Sequence, residues 1–243
     1  MSKIPKTPEQ IFQEFADDFK KTFGDELISI ILYGSAARGE YIYKRSDINF
    51  LIVLTEQGIM QLRRALLLIP RWQKRKVSTP LILTEGYIRS ALDSFPIEFL
   101  NMKQHYQLVY GKDVFAEIEI QPEHLRLQCE REIRGKLLYL REGYLNTHGK
   151  SYRIKHLIRA SLPAFTSIFS ALLYLKNVEV PPSQGQLFNQ TVDEFGLDSS
   201  LFEKILKLGE NKLKLDSSQL NQVMEDYIEQ IRKLTKIVDE LNS

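Results

Sequence analysis

The segment ILYGSAARGEYIYKRSDINFLIVL, residues 31–54, limits what this chain can fold into more than any other. Two short apolar runs, Leu27–Tyr33 and residues 47–54, are rich in β-branched side chains and bounded by turn signals, so each reads as a buried strand. Gly34-Ser35 ends the first run and opens a short helical turn. Glycine there lets the backbone approach a ligand closely, and exposed amides with a serine hydroxyl can hold phosphate oxygens. Positions i and i+2 of a strand share a face, so Asp47 and Asn49 project together while Ile48 packs behind them. Two oxygen donors beside a phosphate turn suit a magnesium–triphosphate complex, because Mg2+ takes one or two carboxylates plus substrate phosphates.

Around this segment the first half alternates strand and helix patterns. Residues 8–23 place Ile11, Phe12, Phe15 and Phe19 on one helical face, with Thr7 as the expected cap. Residues 57–74 have helical spacing, which Pro70 should end or kink. A third strand is expected over residues 80–83, a helix over 85–93 and a fourth strand over 97–102, followed by a short extended run and a turn at Gly111. From Gln121 the character changes: Leu125, Cys129, Ile133, Leu137, Leu140 and Tyr144 follow one helical stripe, and no further strand is expected. A second long helix spans about 152–176 through Pro163, and a last one about 217–241. The expected architecture is α+β, a mixed β-sheet with flanking helices over residues 1–120, followed by an all-α helical bundle over 121–243.

Composition narrows the class. A net charge of +2 gives no general case for nucleic acid or a membrane surface as partner. A single cysteine, Cys129, excludes an internal disulfide framework. The first residues carry charges throughout (Lys3, Lys6, Glu9, Glu14, Asp17, Asp18) and no apolar signal-peptide core. The longest uncharged run, residues 160–175, is shorter than a membrane span and reads as a buried bundle helix. Together these point to a cytoplasmic protein.

The stretch LYGSAARGEYIYKRSDINFLIVL closely resembles the nucleotidyltransferase superfamily, the fold shared by polymerase beta and the aminoglycoside adenylyltransferases. That signature is a hydrophobic strand, Gly-Ser, a spacer and Asp-x-Asp, and GSAARG with SDIN is most like the small bacterial members. The resemblance spans about 25 residues, with the fold reading extending over residues 1–120. It implies that Gly34 and Ser35 hold nucleotide phosphates, that Arg38 assists, and that Asp47 ligates Mg2+. It also implies a third carboxylate from a later strand, for which Glu98, amid Phe95, Ile97, Phe99 and Leu100, is the candidate. The implied reaction is in-line attack of an acceptor hydroxyl on the α-phosphate of a nucleoside triphosphate, ATP favoured, with release of pyrophosphate.

This chain departs from that pattern at Asn49. An amide oxygen can ligate a cation but brings no charge, so it balances two divalent ions less well than a carboxylate. The expected metal set is therefore Asp47, Asn49 and Glu98, with nucleotide binding better supported than turnover. A catalytically inactive nucleotide-binding regulatory or antitoxin-like protein is the alternative reading. Glu130, Glu132 and Glu142 are candidates for a general base from the helical half, or ordinary helix-face glutamates paired with Arg131, Arg134 or Lys136. The acid-free stretch 63–76, with six Lys or Arg around Trp72, reads as a solvated helix face or as a contact for RNA or polyphosphate. Arg141 and His148 loosely resemble the Arg-spacer-His ribonuclease motif of HEPN helical domains.

Overall fold

The computed structural model describes residues 4–241. Four strands form one mixed sheet in the order β3-β2-β1-β4: β1 is Leu27–Tyr33, β2 Asn49–Leu54, β3 Leu81–Thr84 and β4 Tyr106–Gly111. β1 runs antiparallel to both β2 and β4, while β2 and β3 are parallel. The two central strands are apolar on both faces, as strands covered on both sides must be, and Ile30 to Leu32 and Phe50 to Leu54 are fully buried. Helix α1, Phe12–Phe23, follows a 3-10 turn at Pro8–Ile11 and lays Phe15 and Phe19 on the sheet. Phe15 stacks on Phe50 with ring centroids 4.2 Å apart, and Trp72 meets Phe15 edge-on at 5.0 Å.

Short helices link the strands: α2 (Glu56–Ile59), α3 (Leu68–Gln73), α4 (Glu85–Ser90) and α5 (Pro96–Gln104). Three expectations are corrected here. Residues 97–102 form a helix and not a strand, because Pro96 opens α5 and the amide of Ile97 finds an acceptor in the buried side chain of Gln128, 2.7 Å away. Pro70 neither ends nor kinks a long helix; it sits in the first turn of α3, where its missing N–H costs nothing, and the segment before it is broken into short turns. Thr7 makes no side-chain cap bond.

From residue 122 the chain is helical: α6 (Pro122–Thr147), α7 (Ser151–Leu175), α8 (Gln184–Glu194), α9 (Ser199–Gly209) and α10 (Ser217–Asp239). Phe165 and Phe169 of α7 pack with Phe188, Phe202 and Tyr227 of the later helices in a chain of ring contacts. Asp198 and Asp216 cap α9 and α10, the latter through a reciprocal capping box with Gln219. By length and composition α7 could cross a membrane, but 61% of its most apolar window is buried by its neighbours, as a core helix requires. Two compact units result: a sheet unit of Met1–Leu92 with Phe99–Glu119, and a helical unit of Asp93–Glu98 with Ile120–Ser243.

Candidate phosphate and metal site

β1 delivers its last residue, Tyr33, to a 3-10 turn at Gly34–Ala36. Gly34 has φ +76°, a conformation that an L side chain adopts only at a cost, and the turn closes through amides of Ala37 and Arg38 donating to the Gly34 carbonyl. The opening amides of such a turn have no acceptor within it, which leaves them available to a phosphate. Ser35 is half-buried and its hydroxyl has no hydrogen-bond partner among the described residues.

β1 and β2 are in register with Tyr33 opposite Asn49, which brings Asn49 directly to the turn. A Cβ placed on Gly34 would lie 3.1 Å from Asn49 Nδ2, so the glycine also makes room for this side chain. Asp47 lies two residues before β2, and its carboxylate is 3.5 Å from the ammonium of Lys76. The pair is set by the backbone: the Ile48 amide donates to the Lys76 carbonyl at 2.8 Å, and the Ser78 amide donates to the Ile48 carbonyl at 3.0 Å. Lys76 itself has φ +68°. Tyr41 also faces this corner; its hydroxyl donates to the Pro5 carbonyl, and burial, Tyr43 and the Asp47 charge push its pKa up.

Of the expected site residues, Gly34, Ser35 and Asn49 come together, and Asp47 flanks them beside Lys76. Arg38 follows the turn, but its guanidinium is engaged by Glu40 at 3.0 Å. Glu98 is not on a strand: it is exposed in the first turn of α5, within the helical unit, and accepts a 2.8 Å hydrogen bond from Gln128 Nε2. Gln128 thus bridges the Ile97 amide and the Glu98 carboxylate, a helix cap supplied from 31 positions along the chain.

Two comparisons bear on this arrangement, and no protein-family model matches the chain. The spectinomycin adenyltransferase AAD(9) of Enterococcus faecialis, solved with ATP and spectinomycin, superposes with a TM-score of 0.50 at 14% identity over 93% of this chain and 99% of that one. The chain has a nucleotidyltransferase fold. A Methanocaldococcus jannaschii protein, provisionally named a protein adenylyltransferase, is 49% identical over 43 residues. Those residues are 18% of this chain and 29% of that protein.

Within this nucleotidyltransferase fold the donor set is smaller than the resemblance implies. The strands after β2 read LILT and YQLVYG, so neither supplies an acid. No group of three or more His, Cys, Asp or Glu side chains suited to a shared metal occurs among the described residues. One carboxylate and one amide oxygen suit a single Mg2+ that keeps waters and phosphate oxygens as its other ligands; they do not suit a pair of divalent ions. Lys76 was invisible as a site residue in the sequence, since only the Ile48–Val77 bridge reveals its place beside Asp47.

Other candidate residues are occupied structurally. Glu130 is paired with Arg126 and Arg134, and Glu132 with Lys136. Arg71 and Arg75 of the basic stretch reach Glu14 and Asp18 of α1, and the Trp72 indole donates to Asp18 at 3.0 Å. Arg71 and Arg75 thus tie this stretch to α1, while Arg63, Arg64 and Lys74 stay exposed. His148 takes the left-handed position after α6, with Nδ1 2.9 Å from the Asn146 carbonyl.

Proposed function

We propose that the chain binds a nucleoside triphosphate, ATP favoured, at the Gly34–Ser35 turn and moves its nucleoside monophosphate to a hydroxyl acceptor, releasing pyrophosphate. The observation that carries this reading is the approach of Asn49 to Gly34, which sets the phosphate turn against the start of β2, where Asn49 opens the strand and Asp47 precedes it. Turn amides and the Ser35 hydroxyl hold the phosphates, and Asp47 with Asn49 holds the nucleotide-borne Mg2+. Bound there, Mg2+ supplies charge neutralisation and orientation of the triphosphate. Lys76, beside Asp47, adds a fixed positive charge where a second metal would otherwise be needed. Arg38 joins the phosphates by exchanging Glu40 for them. Glu98 would have to leave Gln128 to take part, so the metal site is assigned to Asp47 and Asn49. The substrate pair is supported by the AAD(9) neighbour, which was solved with ATP and spectinomycin. A reducing, cytoplasmic location fits the buried free thiol of Cys129.

A second reading, a nucleotide-binding regulatory or antitoxin-like protein without turnover, is favoured by Asn49 and by the acid-free strands β3 and β4. Pyrophosphate release from ATP with a panel of hydroxyl acceptors separates the two. Release by the native chain supports transfer. Release only by Asn49→Asp supports the regulatory reading, with the missing charge as the defect.

A further inference from the structure

Four other arginines of the helical unit are paired with acids: Arg126 and Arg134 with Glu130, Arg131 with Glu132, and Arg232 with Glu229. The groove between the end of α6 and the start of α7 is different. It has a volume of about 700 Å3, and its lining includes Arg153, Lys155, His156 and Arg159 but no acid among the described residues. Neutral groups orient the two guanidinium ions. Arg153 donates to the Asn146 carbonyl at 3.2 Å and to the Tyr152 hydroxyl at 3.0 Å; Arg159 donates to the Gly209 carbonyl at 3.1 Å and to Asn211. Cations held by neutral acceptors keep their full charge while losing little further entropy on binding an anion.

The same groove exposes two rings. Tyr139 is 57% and Tyr152 65% solvent-exposed, although each lines a concave surface. The Arg153 guanidinium lies 5.7 Å from the Tyr152 ring centroid, and exposed rings beside preoriented cations that lack an acid partner match a ligand that carries a flat ring and a phosphate together. The volume lies within the range of small-ligand sites, roughly 300–1,000 Å3. An acidic peptide would use the cations and leave the rings idle. The net charge of +2, taken over the whole chain, does not register this local concentration.

We propose that the α6–α7 groove is a binding site for a nucleoside phosphate, as a free nucleotide or as a unit of single-stranded RNA. It is separate from the Gly34–Ser35 turn and does not depend on the function proposed for that turn. Lys155 and Arg153 contact phosphate, and Tyr152 stacks on the base.

The test is fluorescence anisotropy of the full chain with two probes, a fluorescein-labelled eight-residue oligouridylate and a methylanthraniloyl-labelled ADP, both in EDTA. The variants are Arg153→Ala/Lys155→Ala, Tyr152→Ala and, as a charge control, Arg232→Ala; all change exposed or half-exposed side chains, and circular dichroism checks their folding. At least one probe should bind the native chain, with affinity falling ten-fold or more in the double variant and three-fold or more in Tyr152→Ala. If the oligonucleotide is the ligand, the slope of log K against log salt should fall by about 1.4 in the double variant, the value for two lost phosphate contacts on a single strand. Binding of only one probe identifies the source of the phosphate. No binding of either probe, equal binding by native and double variant, or an equal loss in Arg232→Ala would overturn the proposal.

Discussion

Replacing Gly34 by alanine tests the geometry of the candidate site in one atom. Gly34 has φ +76°, where an L residue costs about 1–2 kcal/mol. The added methyl would lie 3.1 Å from Asn49 Nδ2, closer than ordinary contact, so the amide must shift by a few tenths of an ångström. Alanine also restricts the unfolded chain, which offsets roughly 0.4–1 kcal/mol of the cost. The net loss expected is about 1 kcal/mol, a fall of about 2–4 °C in Tm for a chain of this length unfolding as one unit. Function should suffer more than stability, because the methyl displaces Asn49 and blocks the backbone from the phosphate. Titration calorimetry with Mg·ATP should show an affinity loss of ten-fold or more. Adding Asn49→Ala to Gly34→Ala frees the space, so the double variant should be more stable than the two single effects sum to, by about 0.5 kcal/mol or more. Unchanged Tm and unchanged ATP affinity in Gly34→Ala would show that the turn neither requires glycine nor binds phosphate.

Three further outcomes are expected. Gly111→Ala should lower stability by about 3 kcal/mol or more in urea denaturation, since φ is +81° and the new methyl would collide with the Ile28 carbonyl oxygen across the β1–β4 pair. The hydrogen bonds from Arg75, then Arg71, hold the Glu14 carboxyl below the ordinary glutamate value against the opposing effect of burial. Its contribution to stability is therefore complete above about pH 4.3, the unfolded value, and is lost as pH falls through the depressed folded one; Glu14→Gln should flatten the acid side of a Tm-against-pH curve. Burial, with a smaller effect from Glu132, pushes the Cys129 thiol up to about 12, so a thiol reagent at pH 8 should fail to label the native chain and label it fully in denaturant.

How much was legible follows from how local each determinant is. β1, β2 and the Gly-Ser turn are written in consecutive residues, and the stripe through Leu125, Cys129 and Ile133 repeats over several helical turns, so both read directly. Residues 97–102 did not: a short apolar run fits a strand or a buried helix equally. The choice was made by Pro96 and by Gln128, far away in sequence. The same distance hid the ties from Arg71 and Arg75 to Glu14 of α1, which a reading of residues 63–76 alone does not contain. At the site, Asn49 and its missing charge were visible in the sequence, but the neighbours of Asp47 were not. Only the pairing of β2 with the segment after α3 brings Lys76 to Asp47, and only the true strands, LILT and YQLVYG, reveal that no later acid joins them.

The central claim is that the turn after β1 is the phosphate site, with Asn49 and Asp47 beside it. Its most direct test is a 1H–15N correlation titration of the full chain with Mg·ATP. Saturable shifts are expected at the amides of Gly34, Ser35 and Ala36 and at the Asn49 side-chain amide, whatever else moves. Saturation by Mg·ATP with those four signals unmoved, or no shift anywhere at millimolar nucleotide, would contradict it.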